Sequence, residues 1–222
     1  MLKKNKFTLI LTSLILLLPI FAGLLLWDKL PDQMPIHWNA AGEIDRYAAK
    51  AEAAIGMPLI LLGIHFLGIT VTAFDPKNKN ANHKAFGLVL WLAPILSMLI
   101  TGMTYAAAFD IDVKVEQLLP AFMGLLFIII GNYMPKCKQN HTIGIKLPWT
   151  LNNEENWNKT HRLAGFVWMI GGVLILGSAL LGAVNANLGA SVMTVILLLM
   201  VLIPTVYSFL YYKKHLCRNC ML

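Results

Sequence analysis

Charged residues are scarce in this chain. Asp, Glu, Lys and Arg make up 13% of its 222 residues, and hydrophobic residues make up 58%, whereas soluble domains carry about a quarter charged residues. The three cysteines are too few for a disulfide framework, and 16 glycines with 10 prolines exclude a collagen-like or low-complexity chain. The composition therefore predicts a membrane protein.

Six stretches of the chain contain no Asp, Glu, Lys or Arg. Each is about 17 to 25 residues long, and roughly 20 helical residues cross the hydrocarbon layer of a bilayer. Backbone groups in lipid must bond within their own segment, so we expect helices. The predicted fold is therefore all-α, a polytopic bundle of six transmembrane helices. The stretches are residues 7–27, 53–74, 85–109, 118–134, 163–184 and 188–212.

The basic residues cluster in alternate loops. Fourteen of the 18 Lys and Arg residues lie at the two termini and in the second and fourth loops. Cytoplasmic loops carry such an excess, so both termini are predicted to be cytoplasmic, and the three cysteines then lie on the reducing side. The net charge of +7 follows from this topology, and no direct nucleic-acid binding is expected. The first stretch has no small-residue cleavage site, which favours a retained helix.

The stretches themselves offer little chemistry. Five of them contain a proline, which is interpreted as a kink. Ser178 and Gly182 form a small-xxx-small pair that allows close approach of helices and favours a central position for the fifth helix. His65 is the sole histidine in the stretches, either a partner of a neighbouring helix or a proton or ligand site. With the prolines it keeps a small transporter or exporter open as an alternative function.

The first external loop, residues 30–47, contains two prolines that disfavour helix, and residues 39–42 are typical of a turn. His37 with Glu43 and Asp45 has the residue types of a metal site but lacks further ligands, so a hydrogen-bonded loop or a recognition surface is favoured. No metal or cofactor is predicted. The residues expected to face an external ligand are Pro35, His37, Trp38, Asn39, Gly42 and Asp45.

The fourth loop, residues 135–162, contains many polar and aromatic residues for a connection between helices. The alternation over residues 143–147 predicts an extended interfacial strip that ends at Pro148. Thr150 is then predicted to be the N-cap of a helix with acidic residues in its opening turns. Trp157 and His161 lie four residues apart, on one face of this helix, which leads directly into the fifth span.

Two further groups keep other chemistry open. His141, Glu154 and His161 supply the residue types of a metal enzyme, without a recognisable ligand spacing. Cys217 and Cys220 have the C-x-x-C spacing of a zinc or redox site, although a complete zinc site needs four ligands and a frayed terminal tail is favoured.

The two loops also resemble a known family. The segment LPDQMPIHWNAAGEID, residues 30–45, looks like the small domain of unknown function that opens many proteins of the SdpI family. The segment from GNYMP, residues 131–135, through IGIKLPWT to KTHR, residues 159–162, resembles the main signature of that family. The chain is therefore identified as a member of the SdpI family.

The resemblance implies a bacterial plasma-membrane immunity protein without enzymatic activity or cofactor. Its partners would be the lipid bilayer, a secreted peptide toxin and a cytoplasmic transcriptional repressor that is held at the membrane. Residues 1–74 are expected to form a two-helix unit and residues 75–222 an SdpI-like four-helix region. The residues expected to face the cytoplasmic partner are Asn140, Gly144, Pro148, Trp149, Thr150, Glu154, Trp157, Lys159, Thr160, His161 and Arg162.

Overall fold

The structure is a computed structural model that describes residues 2–76 and 83–219. Six of the helices in this part of the chain are long and apolar enough to cross a membrane. The predicted all-α polytopic fold is therefore confirmed. The helices are α1 (Lys6–Leu25), α2 (Met57–Phe74), α3 (His83–Ala108), α4 (Val115–Tyr133), the short α5 (Pro148–Leu151), α6 (Glu154–Val184) and α7 (Ala186–Asn219).

The chain divides into two compact units. The first combines Met1–Phe74 with His83–Val115, and the second combines Asp75–Asn82 with Glu116–Leu222. Helices α1 to α3 therefore belong to the first unit, and α5 to α7 with nearly all of α4 belong to the second. The division at residue 74 expected from the two family segments stays a prediction.

In the first unit, α1, α2 and α3 pack against one another. The Tyr105 hydroxyl on α3 donates a hydrogen bond of 2.6 Å to the Pro19 carbonyl on α1. A Cβ atom at Gly23 would lie 2.6 Å from the same hydroxyl oxygen. The absence of a side chain at Gly23 therefore lets α1 and α3 approach closely.

A β-hairpin, which the sequence patterns did not predict, follows α1. Strand β1 (Gln33–Trp38) pairs antiparallel with β2 (Ile44–Ala49), with irregular register around His37. A two-stranded hairpin alone is marginal in water. Here its inner face is buried with residues at the end of α3 and in the π-helical turn Glu52–Gly56. This cluster contains Leu30, Met34, Ala53 and Ala54, with Tyr105 and Ala108 packed against them.

In the second unit, α6 packs on α4 and α7 through small residues. A Cβ atom at Gly124 would lie 2.6 Å from the Gly172 carbonyl oxygen, and one at Gly182 would lie 2.5 Å from that of Glu116. On the other side, a Cβ atom at Gly189 of α7 would lie 2.7 Å from the Gly182 Cα. The close approach predicted from the small-xxx-small pair is therefore confirmed.

Candidate functional site

The hairpin turn is organised by one side chain, that of Asn39. Its Oδ1 accepts hydrogen bonds from the backbone N–H groups of Ala41 (2.9 Å) and Glu43 (3.0 Å), and its Nδ2 donates to the Glu43 carboxylate (3.0 Å). Gly42 adopts a left-handed backbone with φ of +81°, which suits glycine. The turn predicted at residues 39–42 is therefore confirmed, and Asn39 and Gly42 shape it.

The two strands present the other hairpin candidates differently. His37 Nδ1 lies 2.5 Å from Asp45 Oδ1, with both side chains largely exposed. Trp38 is half-buried, whereas Pro35 is buried in β1. His37, Trp38 and Asp45 are therefore accessible, and Pro35 contributes to the packing of the strand.

The polar loop, residues 135–162, bends at Asn140. The Asn140 Oδ1 accepts from the backbone N–H groups of Thr142 (2.8 Å) and Ile143 (2.6 Å), and its Nδ2 donates to the carbonyls of Lys138 and Ile143. The carboxylate of Asp75, which is 7% exposed, accepts from the His141 N–H (2.8 Å) and the Thr142 hydroxyl (2.7 Å). Asp75 was missed by the sequence analysis because it lies about 65 residues away along the chain.

Trp157 and His161 form the centre of the polar loop. Their rings stack with centroids 4.0 Å apart, which confirms that they share one helix face. Trp157 Nε1 donates to the Cys137 carbonyl at 2.8 Å. His161 Nδ1 donates to the Trp157 carbonyl at 2.8 Å, and its Nε2 accepts from the Ile145 N–H at 2.9 Å. These partners require a neutral imidazole with the proton on Nδ1.

Gly144 is required where the loop crosses these rings. Its φ is +121°, and an added Cβ atom would overlap His161 Nε2 and lie 2.9 Å from the Trp157 ring. The extended strip predicted over residues 143–147 is therefore wrong in part, because the backbone bends at Gly144 to pass over the stacked rings.

The prediction of Thr150 as the N-cap of the long helix is also wrong. Thr150 lies within the separate turn α5, where its hydroxyl accepts from the Leu147 N–H (2.9 Å) and donates to the Ile145 carbonyl (2.8 Å). The N-cap of α6 is Asn153, whose side chain accepts from the Asn156 N–H at 2.8 Å. Pro148 at the start of α5 favours an independent turn, which shifts the cap by three residues.

A second polar cluster joins α6 to α7. Asn156 Oδ1 accepts from the hydroxyls of Thr160 (2.9 Å) and Ser208 (3.0 Å), and Asn156 Nδ2 donates to the Ser208 carbonyl. Trp149 Nε1 donates to the Ser208 hydroxyl at 2.7 Å. Ser208 and Asn156 were not singled out from the sequence, since a polar residue in an apolar helix has no fixed partner until the helices pack.

Burial separates the eleven residues predicted to face a cytoplasmic partner. Five of them are buried and form internal hydrogen bonds within the polar loop, and their role towards a partner stays a prediction: Asn140, Thr150, Trp157, Thr160 and His161. Gly144 and Trp149 are half-buried. The exposed candidates are Pro148, Glu154, Lys159 and Arg162.

The hydrogen bonds and burial of the polar loop disfavour metal binding by His161 and reaction of the Cys137 thiol. Both ring nitrogens of His161 are engaged with backbone groups, so His161 is not a free metal ligand. Burial raises the pKa of the Cys137 thiol, which disfavours the reactive thiolate. Cys220 lies outside the described residues, as does the side chain of Cys217.

His65 occupies a buried position on α2. Its Nε2 lies 3.4 Å from the Thr12 hydroxyl on α1, and its ring meets Phe66 edge to face. This contact supports the interpretation of His65 as a partner of a neighbouring helix.

Two family models match parts of the chain that contain the hairpin and the polar loop. The SdpI/YfhL protein family model matches residues 136–208, and the domain of unknown function DUF1648 matches residues 14–62. The first match contains the polar loop after residue 135, and the second contains the whole hairpin. No solved structure matches the chain.

The six long apolar helices among the described residues define the class, a multi-pass membrane protein. The chain is 29% identical over 216 residues to the immunity protein SdpI of Bacillus subtilis (strain 168), which covers 96% of this chain and 97% of the relative. The resemblance to the SdpI family predicted from the two loops is therefore confirmed.

Proposed function

We propose that this protein is a bacterial plasma-membrane immunity protein that gives resistance to a secreted peptide toxin. The observation that carries the proposal is a similarity that spans 96% of the chain and includes both the hairpin and the polar loop. The accessible hairpin residues His37, Trp38 and Asp45 are the toxin-facing group. Binding a toxin at the membrane surface needs no chemical step, so the proposed activity is not enzymatic.

The proposal is tested in Bacillus subtilis cells that lack their own SdpI. Cells that express this chain are challenged with culture supernatant from a toxin-producing strain, and we expect growth to be restored. Trp38→Ala is expected to lose protection at unchanged protein level, because it removes the half-buried indole ring that lies at the end of β1, next to the hairpin turn. Trp91→Ala, a matched change at an exposed tryptophan of α3, is the control. Failure of the unaltered chain to protect would contradict the proposal.

The proposed topology places both termini and the polar loop in the cytosol and the hairpin outside. The asymmetry of the basic residues supports it. An impermeant maleimide is expected to label Ala40→Cys, at the exposed hairpin turn, in intact cells. It is expected to label Asn158→Cys, at an exposed position near the start of α6, only after the cells are permeabilised. Labelling of both positions in intact cells would overturn this topology.

The exposed residues of the polar loop are the proposed contact for a cytoplasmic repressor. Glu154 and Arg162 extend from a segment that is fixed by internal hydrogen bonds, which suits a rigid recognition surface. A fluorescent fusion of a small DNA-binding repressor encoded beside this gene is expected to move to the membrane when toxin is added. Arg162→Ala is expected to reduce that relocation, with Lys213→Ala as the control for loss of a basic residue. Unchanged relocation in Arg162→Ala would contradict the assigned surface.

A further inference from the structure

An open pocket of about 360 Å³ lies between the hairpin turn and the segment that follows α3. Trp38 and Ile44 line it from the hairpin, and Ile111 lines it from the segment after α3. It is thus built by two parts of the first unit that are more than 60 residues apart in sequence. The segment after α3 was not among the residues singled out from the sequence.

The charged residues that line this pocket are all acidic. They are Glu43 from the turn, and Asp110 and Asp112 from the segment after α3. Asp112 pairs with Lys114 at 2.5 Å, but both side chains are more than half exposed, so water and salt screen this pair. The pocket therefore combines apolar side chains with three carboxylates and complements a positively charged group next to an apolar one.

Asp110 lines the pocket and lies in the C-terminal cap of α3. Its φ is +57°, and it follows α3 in a Schellman arrangement: the Ile111 N–H bonds to the Ala106 carbonyl (2.9 Å), and the Asp110 N–H bonds to that of Ala107 (3.2 Å). Glycine is the usual residue at this position. A change to glycine therefore removes the carboxylate while keeping the backbone geometry, which separates binding from folding.

We propose that this pocket binds a cationic, amphipathic segment of the secreted toxin, with a Lys or Arg side chain directed at Glu43, Asp110 and Asp112 and an adjacent apolar side chain against Trp38 and Ile111. The inference rests on the proposed function, since it names the chemistry that the hairpin recognises. It extends the toxin-facing surface beyond the hairpin to the segment after α3.

Binding is measured with the full chain in nanodiscs of zwitterionic phosphatidylcholine, which does not attract cations. The probe is a fluorescent synthetic peptide of alternating Lys and Leu, compared with an alternating Glu and Leu peptide. We expect the Lys peptide to bind, the Glu peptide not to bind, and Asp110→Gly to weaken binding of the Lys peptide about fivefold, as for loss of one charge-assisted contact. Asp28→Gly, an exposed aspartate away from the pocket, is expected to bind like the unaltered protein.

Two results would overturn the inference. One is equal affinity of Asp110→Gly and Asp28→Gly for the Lys peptide, with both variants folded by circular dichroism. The other is equal protection by these two variants in cells that the unaltered chain protects. That second result would support the immunity function and contradict the binding of the toxin in this pocket. Failure of the unaltered chain to protect, with the peptide difference retained, instead contradicts the immunity function.

Discussion

The hairpin and the polar loop both contain His, Trp and Asn, yet the structure uses these residues in opposite ways. In the polar loop, Trp157 and His161 are at most 1% exposed, and their polar atoms bond to backbone groups. In the hairpin, the His37 and Asp45 side chains remain 57% and 43% exposed. Similar residue types therefore form an internal scaffold in one region and an accessible surface in the other.

The difference follows from what each region packs against. The polar loop has a close partner at each bend, including Asp75 and the stacked rings on α6. The hairpin buries its inner face on the end of α3, which leaves its outer face and turn to the surroundings. Substitutions in the polar loop should therefore mainly lower stability, whereas substitutions at the accessible hairpin side chains should mainly alter recognition.

The largest effect is expected at Gly144. Gly144→Ala places a Cβ atom against His161 and Trp157 on a backbone with φ of +121°, and we expect a loss of about 3 kcal/mol or more. The apparent melting temperature in detergent micelles measures it. Gly177→Ala, on α6 with nothing within 4 Å of the added atom, is the control and should stay within about 1 kcal/mol. An equal fall in melting temperature for Gly144→Ala and Gly177→Ala would contradict the interpretation of the polar loop as an internal scaffold.

A smaller loss is expected at Thr150. Thr150→Val conserves side-chain shape but leaves the Leu147 N–H and the Ile145 carbonyl without their partner, a cost of about 1–3 kcal/mol. Thermal unfolding of Thr194→Val provides the comparison, because the exposed Thr194 hydroxyl bonds within its own helix. If Thr150→Val unfolds at the same temperature as the unaltered protein, these hydrogen bonds do not stabilise the loop.

The hairpin turn should respond more weakly to loss of Asn39. Asn39→Ala removes a side chain that bonds to two backbone N–H groups and to Glu43, and we expect about 1–2 kcal/mol of destabilisation because the turn is half-exposed. Asn158→Ala, at an exposed site on α6, is the matched change and should have little effect. If Asn39→Ala lowers the free energy of unfolding as much as Gly144→Ala, the hairpin turn is an internal scaffold like the polar loop.

The smallest effect is expected for the pair of His37 and Asp45. Both side chains are largely exposed, and exposed pairs contribute about 0.2–1 kcal/mol. A double-mutant cycle with His37→Ala and Asp45→Ala, followed by thermal unfolding, measures the coupling. The same variants should nevertheless reduce protection against the toxin. A coupling above about 2 kcal/mol would contradict an accessible role for this pair.

The outline of the fold could be predicted from the sequence. Uncharged stretches of sufficient length specify membrane-spanning helices wherever they occur, because lipid admits no unpaired backbone groups. The turn at residues 39–42 and the shared face of Trp157 and His161 were also predictable, since both depend on residues close together in sequence. The strands of the hairpin were not predicted, because their burial depends on α3, far along the chain.

The sequence by itself determined six apolar helices, two polar regions and the residue types within them. The tertiary structure decided which of those polar residues are buried partners and which are accessible. Asp75 and Ser208 gain their roles through contacts with residues more than 50 positions away, and the pocket at Asp110 forms because the end of α3 meets the hairpin. Local sequence sets what each segment can form, and long-range packing sets which polar groups lose contact with water.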